Sequence, residues 1–139
     1  MNNILIKILC FIFLFLSNTC SDENPVSSNT NQYYGSWVWL KTVGGFAPRV
    51  IVPAPGTELK ISFDYFNNYK LYLNDTLKVS ANYKIEVVEN GWDKLSYSNI
   101  VTYNYNFSGY NEFIEKHSDT LQAWDGMIDG YFSFYKKVQ

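Results

Sequence analysis

The sequence predicts an all-β fold, a small antiparallel barrel of about eight strands in up-and-down order. Apolar and polar residues alternate with a period of two through most of the chain after residue 32, as in strands that bury one face. Short clusters of turn residues separate these runs, so consecutive strands are expected to form hairpins. No apolar repeat of helical period persists in the same region. A meander of this kind can close on itself and leave no unpaired edge.

The first strand is expected in the stretch Tyr34–Lys41. Its alternation places Trp37, Trp39 and Lys41 on one face, and Val38, Leu40 and Thr42 on the other. Further strands are expected at Leu59–Tyr65, Tyr69–Leu73, Leu77–Val87, Lys94–Tyr97, Glu112–Lys116, Asp119–Trp124 and Gly130–Val138, with an alternation after Tyr97 that continues through Val101, Tyr103, Tyr105 and Phe107. Turns are expected at Asn74-Asp75, Glu89-Asn90-Gly91 and Ser108-Gly109. Which alternating face points into the barrel stays open, because it depends on the strand register.

Composition limits the classes of function. The chain has 139 residues, which is enough for one domain, and a net charge of -2 without a basic block. Neither a nucleic-acid-binding surface nor a polybasic membrane patch is therefore expected. Both cysteines, Cys10 and Cys20, precede the strands, so the barrel cannot contain a disulfide. Its stability has to come from a packed core.

The amino terminus predicts export. Lys7 precedes the apolar run Ile8–Leu16, which is too short to span a bilayer and is typical of a secretory signal peptide. The segment from Leu16 to Cys20 resembles a bacterial lipobox, which implies that Cys20 is acylated and becomes the first mature residue. The alternative is an ordinary signal peptide cut nearby, with Cys20 left as a stray thiol. The expected organisation is a signal peptide over 1–19, a lipidated cysteine and disordered tether over 20–32, and a barrel over 33–139.

The tether bears on localisation. Residues 21–32 are almost entirely polar, so they cannot bury enough apolar surface to offset the entropy of ordering. Ser21 differs from the aspartate that retains lipoproteins in the inner membrane, which favours the outer membrane of the cell envelope. The run from Ser21 to Asn24 resembles the acidic export tag of cell-surface lipoproteins.

The connection Gly44–Gly56 contains three prolines, three glycines and four large apolar side chains. Its prolines argue against a central strand, and its apolar content argues against a solvated loop. It is expected to fold over the open end of the barrel with Phe46, Val50 and Ile51 turned inward. It would then act either as a plug that seals the core or as a lid that gates a cavity.

Three elements together resemble bacterial lipocalin-like domain lipoproteins. They are the segment Gly35-Ser36-Trp37, the pair Gly44-Gly45 and the ending Ser118-Asp119-Thr120-Leu121 … Asp129-Gly130-Tyr131 … Tyr135-Lys136-Lys137. The resemblance implies an eight-stranded barrel in which Trp37 closes one end beneath a basic residue of the last strand. Lys136 or Lys137 has to take that place, with weaker stacking than an arginine would give.

Two functions are compatible with these features. The resemblance implies a non-catalytic protein that binds a small apolar ligand, with Phe46, Val50 and Ile51 in the loop and Phe63, Leu71 and Tyr83 on the wall as binding residues. The alternative is a structural or interaction module with a filled barrel, since an eight-stranded barrel is narrow and this one is rich in aromatic side chains. No hydrolase, phosphate-binding or metal-binding motif occurs, so no catalytic residue, metal or cofactor is expected. A cavity of roughly 300 Å³ or more would favour a ligand.

Overall fold

The computed structural model describes residues 32–47, 49–88, 92–107 and 112–138. These residues form nine strands: β1 (Gly35–Gly44), β2 (Arg49–Ile51), β3 (Leu59–Phe63), β4 (Asn68–Leu73), β5 (Thr76–Val87), β6 (Asp93–Thr102), β7 (Glu112–His117), β8 (Thr120–Trp124) and β9 (Tyr131–Lys137). The predicted signal peptide, Cys20 and the tether up to residue 31 lie outside the described residues, as do the predicted turns at 89–91 and 108–109. Within the described ranges, no helix is long and apolar enough to cross a bilayer.

The predicted barrel is confirmed. Strands β3 to β9 pair in sequence order, every pair is antiparallel, and β1 pairs with both β3 and β9 to close the sheet into eight strands. β1 closes the barrel. Its first half pairs with β3, and nearly its whole length pairs with β9. The expected tight turn at Asn74-Asp75 is also present, with φ values of 49° and 59° that suit a two-residue hairpin loop.

The barrel has two different ends. The closed end carries the start of the described chain at Gln32, the β3–β4 turn and the β7–β8 turn. The open end carries the β1–β2, β4–β5 and β8–β9 connections. Most of the buried apolar side chains form one continuous core inside the barrel: Trp37, Ile61, Phe63, Tyr69, Leu71, Val79, Ala81, Tyr83, Leu95, Ile114, Leu121 and Ala123, with Tyr33 beneath them.

Trp37 closes one end of the barrel. Its indole is fully buried, and its Nε1–H donates to the carbonyl oxygen of Tyr33 at 2.8 Å. Of the two lysines that could cover it, Lys137 places its Nζ 5.3 Å from the ring centroid, while Lys136 faces outward and pairs with Asp119 at 3.0 Å. Gly35 makes room for this arrangement, because a Cβ there would lie 3.1 Å from Cε of Lys137.

A second contact at the closed end is polar and buried. The hydroxyl of Tyr33 donates to a carboxylate oxygen of Asp93 at 2.7 Å, and both residues are almost inaccessible to solvent. Burial, followed by the hydrogen bond and the charge of Asp93, raises the pKa of Tyr33 well above its ordinary value. The contact joins the segment before β1 to the first residue of β6.

The prediction that one face of the first strand carries Trp37, Trp39 and Lys41 is wrong beyond Trp39. A β-bulge interrupts the pairing with β9 between Trp39 and Lys41, so the side chains after it exchange faces. Lys41 is exposed, and Thr42 points into the barrel beside Trp39. A single extra residue, Leu40, therefore decides which polar group enters the interior.

The prediction for Gly44–Gly56 is also wrong. The segment does not fold inward over the barrel; it reverses immediately and forms β2, which pairs with the second half of β1, where β3 no longer pairs. Gly44 and Gly45 have φ values of 140° and 88°, which permit the reversal. A side chain at Gly44 would also collide with the carbonyl oxygen of Gly130.

Candidate ligand cavity

A cavity of about 290 Å³ occupies the open half of the barrel. Its walls come from β1, β3, β4, β9 and the segment after β6. The lining residues are Trp39, Thr42, Leu59, Ile61, Tyr69, Leu71, Tyr105, Asn106, Phe107, Ser133 and Tyr135. Ile61, Tyr69 and Leu71 are buried and form its base, whereas Asn106 is exposed and marks its mouth. The barrel is therefore filled at the closed end and hollow at the open end.

Two facing hydroxyl groups form a polar ledge on the cavity wall. The bulge at Leu40 brings Thr42 opposite Ser133 of β9, and their oxygens lie 2.9 Å apart. The Nε1–H of Trp39 donates to the Thr42 oxygen at 3.0 Å. The two hydroxyl groups carry two hydrogens, and the hydrogen bond between them uses one of these. The ledge can therefore donate one hydrogen bond to a group in the cavity.

The cavity mouth is covered by residues 105–107, which follow β6. The predicted alternation through Phe107 does not continue the strand: β6 ends at Thr102, and Asn104 turns the chain with a φ of 51°. Phe107 then enters the barrel, where its ring lies 6.1 Å from that of Tyr69 in a stacked arrangement and 5.5 Å from that of Tyr97 edge to face. The covering segment is thus the β6–β7 connection rather than Gly44–Gly56.

The predicted binding residues occupy three different environments. Leu71 lines the cavity. Phe63 and Tyr83 are buried but belong to the solid core, where their rings meet edge to face at 5.1 Å. Phe46, Val50 and Ile51 are exposed on the outside and do not line the cavity, and Phe46 retains 94% of its accessible surface. The expectation that these three turn inward is wrong, because their segment pairs with β1 instead.

The cavity is electrically neutral. No aspartate, glutamate, lysine, arginine or histidine is among its lining residues in the described part of the chain. Transfer of an ion into such a site would lose hydration without a compensating charge. The lining therefore favours a neutral molecule, with apolar contacts from the aromatic and aliphatic walls and polar contacts at the ledge and at the mouth, where Tyr105 and Asn106 lie.

The ionisable groups near the core have structural roles. The hydroxyl of Tyr83 donates to the carbonyl oxygen of Asp64 at 3.0 Å, and burial, followed by the charges near it, raises the pKa of Tyr83. The carboxylate of Asp64 accepts hydrogen bonds from the N–H groups of Phe66 and Asn68 and so organises the β3–β4 turn. Burial alone would raise the pKa of this carboxyl, but the hydrogen bonds have the larger combined effect and lower the pKa. Neither group faces the cavity.

His117 and Asp125 lie at turns, outside the cavity. His117 is exposed at the β7–β8 turn, where its Nε2 lies 3.0 Å from a carboxylate oxygen of Glu115, and it is not part of the cavity lining. Asp125 accepts hydrogen bonds from the backbone N–H groups of Met127 and Tyr131, as expected for a residue that shapes a turn. Among the described residues, no group of three or more His, Cys, Asp and Glu side chains could hold a metal ion.

Sequence reasoning missed most of the cavity lining. Trp39 could have been found, because it shares its alternating face with Trp37. Thr42 and Ser133 could not, because the bulge and the pairing of two strands 91 residues apart bring them together. No protein-family model, curated protein or solved structure matches the chain. The function is therefore argued from the cavity and the surface around it.

Proposed function

We propose that this chain is a membrane-anchored, non-catalytic, lipocalin-like lipoprotein that binds a small neutral molecule in the open half of its barrel. The observation that carries the proposal is the 290 Å³ cavity with neutral walls and a single polar ledge. Its volume lies close to the lower limit of about 300 Å³ for ligand pockets. At about 30 Å³ per non-hydrogen atom, the volume of a liquid water molecule, it would hold a ligand of about ten such atoms.

The chemistry of the walls specifies the ligand further. Aromatic side chains from three parts of the chain, Trp39, Tyr69 and Phe107, surround the space and favour a flat or aliphatic body. The Thr42–Ser133 ledge favours one hydrogen-bond acceptor, such as a carbonyl or ether oxygen. We infer a small neutral molecule with an apolar body and at least one hydrogen-bond acceptor.

The anchoring part of the proposal rests on Cys20. Acylation there would attach the protein to the membrane, and the residue after it favours the outer membrane. Metabolic labelling with an alkyne analogue of palmitate tests this in cells. Label is expected on the natural chain and lost in Cys20→Ser, whereas Cys10→Ser is the matched control and should remain labelled. Equal labelling of both variants would contradict the assignment.

Ligand binding is tested with two aromatic probes of similar shape. Acetophenone has one carbonyl acceptor and isopropylbenzene has none; each has about nine non-hydrogen atoms, within the capacity of the cavity, and binding of each is followed by the change in tryptophan fluorescence. Thr42→Val/Ser133→Ala removes both hydroxyls of the ledge, so the ketone should bind about 2- to 10-fold more weakly, as expected for about 0.5–1.5 kcal/mol per neutral hydrogen bond. The hydrocarbon should bind the variant and the natural chain equally.

The matched control is Ser98→Ala, because Ser98 is exposed on β6 and outside the cavity. It should leave the affinity for both probes unchanged. The alternative function, an interaction module with a solid barrel, is supported by the filled closed end around Trp37 and Leu121. Absence of saturable binding for both probes would favour that alternative.

A further inference from the structure

Large apolar side chains are exposed at the tips of two neighbouring connections at the open end. The β1–β2 hairpin presents Phe46 and Val50, and the β8–β9 loop presents Met127 and Ile128, of which Ile128 is fully exposed. The two connections touch, because the N–H of Gly45 donates to the carbonyl oxygen of Gly130 at 3.3 Å. We call these four side chains the apolar tips.

The apolar surface continues from the tips onto the outer wall of the barrel. A row of paired positions crosses five neighbouring strands, and all five carry apolar side chains that face outward: Val50, Val43, Phe132, Trp124 and Phe113. At about 4.8 Å per strand the row is about 19 Å long. The rings of Trp124 and Phe132 stack at 5.9 Å with an interplanar angle of 6°, and Trp92 lies against both. Val50 is exposed, whereas the other four side chains of the row are half-buried. The exposed apolar surface is therefore that of the tips, and exposed apolar surface of this kind marks an interaction site.

We propose that the open end of the barrel docks on a lipid bilayer with the apolar tips inserted. The inference rests on the proposed function for its purpose, which is exchange of the ligand between the cavity and the bilayer. The tips lie next to the open half of the barrel. At their base, Gly44 of β1 pairs with Tyr131 of β9, and the same two strands carry the Thr42–Ser133 ledge.

The character of the surface favours lipid over a protein partner. The tips are four exposed, uncharged side chains, which suits insertion into the boundary between lipid headgroups and acyl chains. The connections that carry the tips also hold Arg49, Asp125 and Asp129. The β4–β5 turn at the same end adds Asp75, whose carboxylate pairs with Lys60 at 2.6 Å. Asp125 is already held by two backbone N–H groups. A nearly neutral surface fits a zwitterionic lipid and predicts weak dependence on salt.

The length of the chain before the barrel allows the docked orientation. Gln32 lies at the closed end, opposite the tips, and is 12 residues from Cys20. At up to about 3.6 Å per residue, these 12 residues span at most about 43 Å. The longest strand, β5, has 12 residues and extends about 30 Å along the axis of a barrel with strands tilted by about 40°. A chain anchored at Cys20 can therefore reach past the barrel and let the open end face the same membrane.

The test uses the full chain with Cys10→Ser and Cys20→Ser, so that one introduced cysteine can carry an environment-sensitive nitrobenzoxadiazole dye. The dye is placed at Ile128→Cys on a tip and, as the matched control, at Phe66→Cys, a strongly exposed apolar position on the closed-end turn. Protein-free phosphatidylcholine vesicles are then added. The dye at 128 should brighten about twofold or more and be quenched by spin-labelled lipids, while the dye at 66 should stay in water.

A second pair of variants measures the contribution of the tips. With the dye at 128, Phe46→Ser/Val50→Ser should raise the lipid concentration for half-maximal response about tenfold, and Tyr65→Ser/Phe66→Ser at the closed end should leave it unchanged. Equal responses at 128 and 66, or no response at either, would overturn the docking proposal. A response at 128 that requires membrane proteins would also overturn it and identify a protein occupant.

Titration of the same samples with acetophenone separates the two proposals. Ligand binding without a dye response at 128 overturns docking and leaves the proposed function standing. A dye response without ligand binding overturns the proposed function and supports a membrane contact with some other purpose.

Discussion

Replacement of Tyr33 by phenylalanine removes one hydroxyl from the closed end and leaves the ring in place. The hydroxyl donates at 2.7 Å to the carboxylate of Asp93, and both groups are buried. A hydrogen bond to a charged group contributes about 1.5–3 kcal/mol, and the buried carboxylate would be left without this donor. The free energy of unfolding should therefore fall by about 2 kcal/mol. With an m-value of about 1–3 kcal/mol per molar urea, the urea midpoint should fall by about 1 M.

The assay is urea unfolding at neutral pH, followed by tryptophan fluorescence and far-ultraviolet circular dichroism. Tyr65→Phe is the matched control, because Tyr65 is exposed and its hydroxyl makes none of the buried contacts described above. It should change the free energy of unfolding by less than about 0.5 kcal/mol.

A double-mutant cycle separates the charged hydrogen bond from the general effect of removing a hydroxyl. Asp93→Asn keeps an oxygen acceptor of the same shape without the charge. In that background the cost of Tyr33→Phe should drop to about 0.5–1.5 kcal/mol, the value of a neutral hydrogen bond. An equal cost in both backgrounds, or a cost below about 0.5 kcal/mol in the natural chain, would refute the reasoning.

Two further predictions concern alkaline pH and the β1–β2 turn. Burial raises the pKa values of Tyr33 and Tyr83 above the ordinary 10.0, so the unfolded chain releases these protons first as the pH rises. The contribution of these two groups to stability should be complete below about pH 9 and fall by about 2–3 kcal/mol between pH 9 and 11. Tyr83→Phe should halve the loss; an unchanged pH slope in that variant would contradict the assignment. Gly44→Ala should destabilise the protein by about 3 kcal/mol in thermal or urea unfolding, because it combines a positive φ with a collision against the backbone of Gly130. Gly56→Ala is its control, since Gly56 also has a positive φ but open space around it; equal effects of the two substitutions would show that the collision does not matter.

The elements of the fold were largely predictable because they are encoded locally. Alternation with period two located most of the strands, and Asn74-Asp75 located the turn between β4 and β5. The loop Gly44–Gly56 was misassigned because its composition indicates apolar contact but not the partner strand. β3 leaves half of β1 unpaired, and the segment fills that edge as β2. The alternation after β6 wrongly predicted that the extended chain continues to Phe107. Asn104 was a signal that the strand ends before it, because asparagine tolerates a positive φ.

The candidate site was much less predictable than the fold. Leu71 was correctly predicted to line the cavity. Phe63 and Tyr83 also point into the barrel, but they belong to the solid core, because a cavity wall depends on how several strands pack together. The alternation placed Thr42 on the face opposite Trp37 and Trp39, because the bulge at Leu40 has no signature in the sequence pattern. Tertiary structure decided the polar chemistry of the cavity for this reason.

By itself, the sequence determined that the chain forms a closed barrel of antiparallel strands, since hydrophobic period and turn chemistry act over a few residues. The family resemblance implied that Trp37 would lie beneath Lys136 or Lys137, and Lys137 occupies that position. Only the tertiary structure decided that one half of the barrel is solid and the other hollow, and that Phe46 and Val50 face outward. These outcomes depend on register and on one inserted residue, and a shift of one position moves every later side chain to the opposite face.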